Sequence, residues 1–395
     1  VSELRFSAYL STIKRYDLPR ERLPTFPLTN AICSPHPCQK KWPNTSSHDR
    51  LGLETTACFL AGLPEKRLSL RKGKAEKMGY QLLAIIFTVV QLNCENLFDT
   101  QHDTGKNDIE FTETGIRHWT FNRYWAKLNG IARTIVSCGK GIDGGAALPD
   151  VVALCEVEND TVMTDLTKKS LLRTAGYNYV MTHSADRRGM DVALLYSPAT
   201  FAPIRDCTFR VPPPEGMRRP TRDILYVAGR LPAGDTLHII VVHAPSRMGG
   251  EPQTRPYRCK VAQCIVAVTD SIRRQSPEAK ILIAGDFNDY SNNEAVRSIV
   301  AKGMAEVSEH ATGKQGAGGT YRYQGQWGSL DHLFASPSLL PFIQECYIND
   351  APFLTEDDPT YGGRMPHRSF RGTRYVGGIS DHLPLVVHLR WEKNE

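Results

Sequence analysis

The chain has 395 residues, 41% of them hydrophobic, which is enough to bury a large core in one α/β domain or two smaller ones. This composition excludes a fibrous protein and a chain that is disordered throughout. The formal net charge of +6 comes from residues 1–77, which hold 14 of the 48 Lys and Arg residues and 7 of the 42 Asp and Glu residues, so the remainder is close to neutral.

Residues 1–78 are expected to be a poorly structured, basic extension. They contain scattered prolines, lone cysteines and a basic run at Arg71–Lys77, and they lack an apolar period of 2 or 3.6 residues. We expect the segment up to Lys77 to lie outside the functional unit, and residues 79–395 to form one domain.

The first sustained apolar segment is Gln81–Leu92. It is too short to span a bilayer, which takes about 20 residues, and no small-x-small cleavage site follows it, so we predict a buried strand. The ten cysteines lack the paired spacing of a disulfide framework or a zinc site. Localisation stays open, with the cytoplasm weakly favoured over a secreted or periplasmic protein whose true start and signal region differ.

Strands and helices are predicted along the whole remaining chain. The predicted strands are residues 82–92, 150–155, 191–197, 223–230, 236–243, 280–285, 329–335 and 384–390. The predicted helices are His118–Cys138, Asp160–Ala175, Tyr257–Arg274 and Glu294–Lys302. Because strands adjoin strands in the middle of the chain and alternate with helices elsewhere, we predict two packed sheets flanked by helices rather than one doubly wound sheet.

Short polar side chains follow several of these strands, as at a shared site. A carboxylate at the end of a buried strand, Glu156, suits Mg²⁺, which keeps several waters and takes only one or two carboxylates. The amide of Asn93 can contact a metal or a phosphate without adding negative charge. The structural alternatives are a salt-bridged glutamate at the strand end and an Asx turn at Asn93.

Two further strand ends carry groups that suit a phosphate. In Gly285-Asp286-Phe287-Asn288 the glycine permits close approach, Asp286 can orient or protonate a leaving oxygen, and the Asn288 amide can donate to a phosphoryl oxygen. His243 can stabilise the pentacovalent phosphorus centre, and Arg247 in the next loop can bind a phosphate bidentately. Turn formation and a satisfied core histidine are the alternatives.

The pair Asp381-His382 precedes the last predicted strand, and Asp331 lies near the start of the predicted strand before it. If Asp331 accepts a proton from one ring nitrogen of His382, the other nitrogen can deprotonate a water molecule. His332 should then face away from Asp331, since neighbours on a strand alternate.

These motifs together resemble the endonuclease/exonuclease/phosphatase superfamily, the deoxyribonuclease I-like metal-dependent phosphoesterases. The matching pieces occur in the family's order and cover roughly residues 82–390: Asn93, Leu154-x-Glu156, His243-Ala244-Pro245-Ser246, Gly285–Asn288, Leu330-Asp331-His332 and Ser380-Asp381-His382. The resemblance implies a four-layer α-β-β-α sandwich of two packed mixed sheets, with residues 79–395 as the catalytic domain. It also implies Mg²⁺ or Mn²⁺, held chiefly by Glu156 with Asn93 and Asp381.

By the same resemblance, His382 oriented by Asp331 activates the attacking water. Asp286, Asn288 and His243 are then expected to bind the scissile phosphate. Arg247 is a weaker candidate for a phosphate ligand. Asp191 resembles the start of a family strand that enters the site, and either polarises a neighbour there or caps the strand.

The resemblance implies a phosphoester substrate, and a nuclease-like phosphodiesterase is the leading interpretation. Arginines and aromatic residues that suit a nucleic acid are Arg187, Arg188, Arg247, Arg255, Arg322, Arg364, Arg368 and Arg374 with Tyr321, Tyr323, Trp327 and Tyr361. One alternative is a phosphatase or phosphodiesterase on inositol phosphates or phospholipids, as in a sphingomyelinase, and another is a non-catalytic binding module on the same scaffold. We expect a monomer without an obligate protein partner or a transmembrane segment.

Overall fold

The computed structural model describes residues 84–139, 145 and 147–392, so the predicted extension of residues 1–78 lies outside the described residues. In chain order the strands are β1 (Ala84–Leu97), β2 (Val151–Val157), β3 (Asn178–Met181), β4 (Asp191–Tyr196), β5 (Ala202–Phe209), β6 (Ile224–Arg230), β7 (Thr236–His243), β8 (Lys280–Asp286), β9 (Ala305–Glu306), β10 (Tyr321–Tyr323), β11 (Gln326–Gly328), β12 (Asp331–Ala335), β13 (Ile343–Ile348), β14 (Thr355–Asp357), β15 (Arg364–Pro366), β16 (Phe370–Arg371), β17 (Arg374–Tyr375) and β18 (Leu385–Glu392). The helices are α1 (Phe121–Ser137), α2 (Asp160–Thr164), α3 (Glu251–Gln275) and α4 (Glu294–Ala301), with a π-helical turn at Asp165–Lys169 and 3-10 turns at Ile109–Phe111, Leu340–Phe342 and Pro352–Leu354. None of the helices in this described part is long and apolar enough to cross a membrane.

Two six-stranded mixed sheets form the centre of the molecule. Their strand orders are β13-β18-β1-β2-β4-β3 and β5-β6-β7-β8-β12-β9. The pairs β1–β2 and β7–β8 are parallel, and the other neighbouring pairs are antiparallel. Because the strands of a parallel pair run the same way, the carboxyl ends of β1 and β2 lie side by side, as do those of β7 and β8.

The sheets pack face to face with helices on both outer faces. Along β2, Val151 and Ala153 join the core between the sheets, whereas Val152 and Leu154 join the outer core beneath α1. This alternation follows from the two-residue period of a strand, and it explains why a strand buried on both faces reads as a continuous apolar run. The outer face of the second sheet packs against α3 and α4. The predicted four-layer α-β-β-α sandwich is confirmed.

All eight predicted strands are present. The four strands at the edges of the two large sheets were not predicted: β3, β13, β5 and β9. Edge strands are half-exposed, so they lack the apolar run that identifies a central strand. The predicted helix at Asp160–Ala175 is wrong after Lys169, where the π-helical turn ends. Near this end the hydroxyls of Thr167 and Ser170 donate to backbone carbonyls four residues earlier. Helix α3 starts earlier than predicted, because Pro252 occupies the first turn, where backbone N–H groups need no helical acceptor.

Phe87 tests the core between the sheets. Its ring lies 5.9 Å from that of Trp391 and 6.4 Å from that of Phe201, measured between centroids. Phe87→Ala should lower the free energy of unfolding by about 3–5 kcal/mol, because it leaves a cavity. Phe87→Leu keeps more of the volume and should cost less. Urea unfolding of both variants measures this, and equal losses would contradict the packing described.

Candidate active site

Polar side chains from both sheets meet at the carboxyl ends of the parallel strand pairs. The Asn93 Nδ2 atom at the end region of β1 donates to Asp286 Oδ2 of β8 over 2.9 Å, which joins one sheet to the other. Nε2 of His243 on β7 lies 3.8 Å from Asp286 Oδ2 and 3.7 Å from Glu156 Oε1 on β2. The structure therefore brings together four residues that the sequence places on four different strands.

Two of the site residues have backbone conformations that side chains other than glycine seldom adopt. The φ angle is 61° at Glu156 and 51° at Asn288, in the left-handed region. Glu156 Oε2 accepts a hydrogen bond from the Asn96 backbone N–H at 2.7 Å. Asn288 Nδ2 donates to the Ala244 carbonyl at 3.0 Å, and its backbone N–H donates to Asp286 Oδ1 at 2.8 Å. These contacts hold both side chains in the cleft at the expense of local backbone strain.

His382 and Asp331 form a buried hydrogen-bonded pair. The Nδ1 atom of His382 lies 2.7 Å from Asp331 Oδ2, which also accepts from the Thr320 hydroxyl at 2.6 Å. The other oxygen of Asp331 accepts from Gln91 Nε2 at 2.8 Å. The ring of Tyr321 packs against the imidazole with centroids 5.0 Å apart. With Nδ1 used by Asp331, Nε2 is the nitrogen of His382 that is left to exchange a proton.

The charges of this pair shift its pKa values in opposite directions. Burial alone would lower the pKa of His382, but the charges of Asp331, Asp286 and Asp381 raise it well above its ordinary value. Burial alone would raise the pKa of Asp331, but the charge and hydrogen bond of His382 lower it below the ordinary range. In this arrangement the pair is an imidazolium and a carboxylate at neutral pH.

Asp286 and His243 show the opposite behaviour, since burial dominates both. Burial, followed by the nearby carboxylate of Asp331, raises the pKa of Asp286 to about 7. Burial, followed by the charges of Arg222 and Arg188, lowers the pKa of His243 well below its ordinary value, so this imidazole is neutral. The cleft therefore contains a carboxyl group that can gain or lose a proton near neutral pH beside a neutral histidine.

Asp381, predicted as a metal ligand, lies at the edge of the same cleft but has a cationic partner. Its Oδ2 accepts from Arg368 Nη2 at 2.6 Å. Adjacent residues 381 and 382 thus have different partners, as the sequence analysis anticipated, but the partner of Asp381 within the described residues is an arginine.

The two weaker candidates, Arg247 and Asp191, form hydrogen bonds with other groups of the protein. Arg247 donates to Asp289 Oδ1 and to the Asn288 carbonyl, both at 3.0 Å, so it supports the loop that carries Asn288. Asp191 accepts from the Thr182 hydroxyl at 2.5 Å and from the Ser184 backbone N–H at 2.9 Å. Of the two interpretations offered for Asp191, these contacts favour the strand cap.

Several residues that support the cleft were not among the predicted site residues. Glu95 is buried, and burial followed by the charge of Asp381 raises its pKa to about 7. The Ser369 backbone N–H donates to Glu95 Oε2 at 2.6 Å, and the buried Lys127 ammonium donates to the Ser369 hydroxyl at 2.5 Å. Gln91, which donates to Asp331, could have been predicted from the sequence. It is a polar residue within an apolar strand, two residues before Asn93, and therefore lies on the same face of the strand.

The oxygen-rich side of the cleft fits a hard divalent cation. Glu156 Oε1 accepts no hydrogen bond within the described part of the chain, and the side chain is 16% exposed. Asn93 Oδ1 lies at the same strand ends, and the Glu95 backbone N–H is its one donor among the described residues. One ligand-type atom each of Asp286, Asp331 and His382 also lies within 4.8 Å of the others. Asp331 already accepts three donors, however, so Glu156 and Asn93 offer the better metal ligands.

The comparisons with known proteins agree with this geometry. A family model described as the endonuclease/exonuclease/phosphatase family matches residues 88–391. A search of curated proteins found no match. A solved endonuclease/exonuclease/phosphatase family protein from Bacteroides thetaiotaomicron is 15% identical, with 79% of this chain and 100% of that one aligned at a TM-score of 0.52. A mannosyl-6-phosphatase from the same bacterium is 17% identical, with 77% and 99% aligned at 0.51. At these identities the similarity concerns the fold.

Replacing Asp331 tests the proton position in the buried pair. Asp331→Asn should lower the pKa of His382, because a neutral amide removes the nearest negative charge. An imidazolium cannot accept a proton from water, so the rate should rise with pH as His382 is deprotonated. In the wild type that rise should lie above pH 6.5; in Asp331→Asn it should move to lower pH, while the maximal kcat falls by about 100-fold or more.

The measurement is kcat against pH on a chromogenic phosphodiester. The exposed Asp357 provides a matched control, because Asp357→Asn removes a surface carboxylate and should leave the profile unchanged. A rise at the same pH in the wild type and Asp331→Asn would show that His382 does not govern the rate.

Proposed function

Because this chain belongs to the endonuclease/exonuclease/phosphatase family, we propose that it is a divalent-metal-dependent hydrolase of phosphodiester bonds, with water as the nucleophile. Endonucleases, exonucleases and phosphatases, which give the family its name, hydrolyse phosphoester bonds, and one structural neighbour is a mannosyl-6-phosphatase. The observation that carries the proposal is the 2.7 Å contact between the buried Asp331 carboxylate and His382 Nδ1, beside a cleft of carboxylates and amides.

In the proposed reaction, each described side chain has a separate task. Asp331 holds the proton on Nδ1 of His382, so that Nε2, once deprotonated, can take a proton from the attacking water. The Nδ2 group of Asn93 donates one hydrogen to Asp286 and has a second hydrogen for a phosphoryl oxygen. The Nδ2 group of Asn288 donates to Ala244 and Asp286, so it would exchange its longer contact with Asp286 for one with a phosphoryl oxygen. Asp286, whose pKa is about 7, can hold a proton for the leaving oxygen.

Glu156 and Asn93 would hold the metal, with Mg²⁺ or Mn²⁺ as the proposed ion. Such an ion, when bound, neutralises charge on the phosphoryl group. The acidic and histidine side chains of the cleft are suited to a divalent ion, and the family is generally dependent on one.

The proposed substrate is a phosphodiester of the kind that nucleases cleave. The contacts of the surface arginines weaken the case for a nucleic acid. Five of the predicted nucleic-acid contacts form ion pairs with carboxylates: Arg247, Arg255, Arg322, Arg364 and Arg368. Arg187 and Arg374 are exposed, as are Tyr323 and Tyr361. The paired arginines leave less positive potential for a polymeric backbone. They favour a smaller phosphoester, such as an inositol phosphate or phospholipid headgroup, as the second candidate.

A panel of substrates tests the function. Plasmid DNA, RNA, abasic DNA, inositol phosphates and sphingomyelin would each be incubated with Mg²⁺ and with Mn²⁺. We expect cleavage of a phosphodiester that EDTA and His382→Ala both abolish. Turnover of only an inositol or lipid substrate would overturn the nuclease-like proposal, and no turnover of any phosphoester would favour a binding module.

Replacing Glu156 tests the metal ligand separately. Glu156→Gln keeps the size of the side chain but removes its charge, so the Mg²⁺ concentration for half-maximal rate should rise at least about tenfold. Asp331→Asn should lower the rate at saturating Mg²⁺ without a comparable rise in that concentration. A metal titration of both variants measures the difference, and equal metal requirements in the wild type and Glu156→Gln would exclude Glu156 as a ligand.

A further inference from the structure

A second group of carboxylates lies in the loop Asp99–Asp108 that follows β1, outside the candidate active site. The Asp99 backbone N–H donates to Glu158 Oε2 at 2.7 Å, which joins this loop to the segment after β2. The Asp103 backbone N–H donates to Asp108 Oδ2 at 2.8 Å. Asn159 Nδ2 lies 3.3 Å from oxygens of both Asp99 and Asp103. The loop is thus folded so that its acidic side chains converge.

Three of these carboxylates are close enough to share one ion. One oxygen each of Asp103, Asp108 and Glu158 lies within 4.8 Å of the other two. Within the described residues no Lys or Arg side chain forms an ion pair with any of the three; the ion-pair partner is His102, on Asp108. The nearby Lys106 ammonium donates instead to backbone carbonyls of residues 184 and 186. The negative charge of the group is therefore not balanced by a lysine or an arginine.

An independent feature points to a missing positive partner. Glu158 is only 4% exposed, and its Oε1 is buried without a hydrogen-bond partner in the described part of the chain. A buried carboxylate oxygen without a donor is costly, and native structures leave few such atoms unsatisfied. The backbone N–H of Asp99 satisfies Oε2 only. Glu158 Oε1 therefore has an unused pair of acceptor positions beside two other carboxylates.

We propose that Asp103, Asp108 and Glu158 bind a divalent cation, Ca²⁺, at a site separate from the candidate active site. Calcium takes six to eight oxygen ligands in irregular geometry, so it tolerates carboxylates from an irregular loop better than Mg²⁺ does. The loop follows β1, which carries Asn93, and Glu158 follows β2, which carries Glu156. Bound Ca²⁺ holds these strand ends together, so its effect is on stability and on the position of the cleft, not on bond cleavage.

Terbium luminescence provides a direct test, because Tb³⁺ replaces Ca²⁺ at oxygen sites and is sensitised by tryptophan. The buried Trp119 is suitably placed, since its Nε1 donates to the Phe98 carbonyl, one residue before the loop, at 3.0 Å. We expect a saturable Tb³⁺ signal that Ca²⁺ displaces in the wild type and equally in Glu156→Gln. Absence of that signal in the wild type, or its loss in Glu156→Gln, would overturn the proposal.

Charge-removing variants locate the site. Asp103→Asn and Glu158→Gln should each weaken Ca²⁺ competition for Tb³⁺ at least about tenfold. Glu113→Gln is the matched control, because Glu113 is exposed in the same region and should behave as the wild type. Unchanged affinity in both cluster variants would contradict the assignment. If either variant fails to fold, the comparison of wild type with Glu156→Gln still decides whether a second site exists.

Thermal unfolding gives a readout that needs no catalysis. Ca²⁺ at about a hundred times its dissociation constant should raise the Tm of the wild type and Glu113→Gln by about 5 °C. The shift should be smaller in Asp103→Asn. Mg²⁺ at the same concentration should produce a smaller shift than Ca²⁺ at this site. A Ca²⁺ shift that is equal in all three proteins would place the bound ion elsewhere.

Discussion

The candidate site depends on two carboxylates buried opposite each other. Asp331 and Asp286 are register partners on the antiparallel strands β12 and β8, and both are almost completely inaccessible to solvent. Like charges in that arrangement repel, and neither is hydrated, so the surroundings must compensate for both. The structure compensates differently for each. Asp331 receives the His382 imidazolium, whereas Asp286 receives the Asn93 and Asn288 amides and has a pKa close to 7.

Close backbone approach in the second sheet makes this arrangement possible. A Cβ atom at Gly285 would lie 2.0 Å from the Val242 carbonyl oxygen of the neighbouring strand, so only glycine fits there. Gly285 therefore allows β7 and β8 to pair fully, with His243 in register with Asp286. The result is a cleft whose charged groups are held by backbone pairing and by hydrogen bonds between the sheets, an arrangement that requires little reorganisation during a reaction.

Negative charge is also concentrated beyond the cleft, at the ends of β1 and β2. There Glu158 lies close to Asp103 and Asp108, and within the described residues no lysine or arginine forms an ion pair with the group. The two acidic groups differ in what surrounds them. In the cleft His382 contacts Asp331 through Nδ1 and has its second ring nitrogen left to exchange a proton, whereas in the loop region a fully buried oxygen of Glu158 has no donor within the described residues. This contrast separates a reactive site from a proposed structural one.

The sequence by itself determined the eight central strands, the four-layer fold class and most polar residues of the cleft. It could do so because a strand buried on both faces requires an uninterrupted apolar run, and a polar residue at its end is then conspicuous. The edge strands were not predictable, since their exposed faces accept polar residues. The resemblance to the family already paired Asp331 with His382, 51 positions apart in the chain. Only the tertiary structure decided the other partners: Arg247 donates to Asp289, Arg368 donates to Asp381, and Glu95 is buried beside the cleft. Such pairings arise from the packing of distant segments, and local residue patterns contain no record of which distant group will satisfy a buried charge.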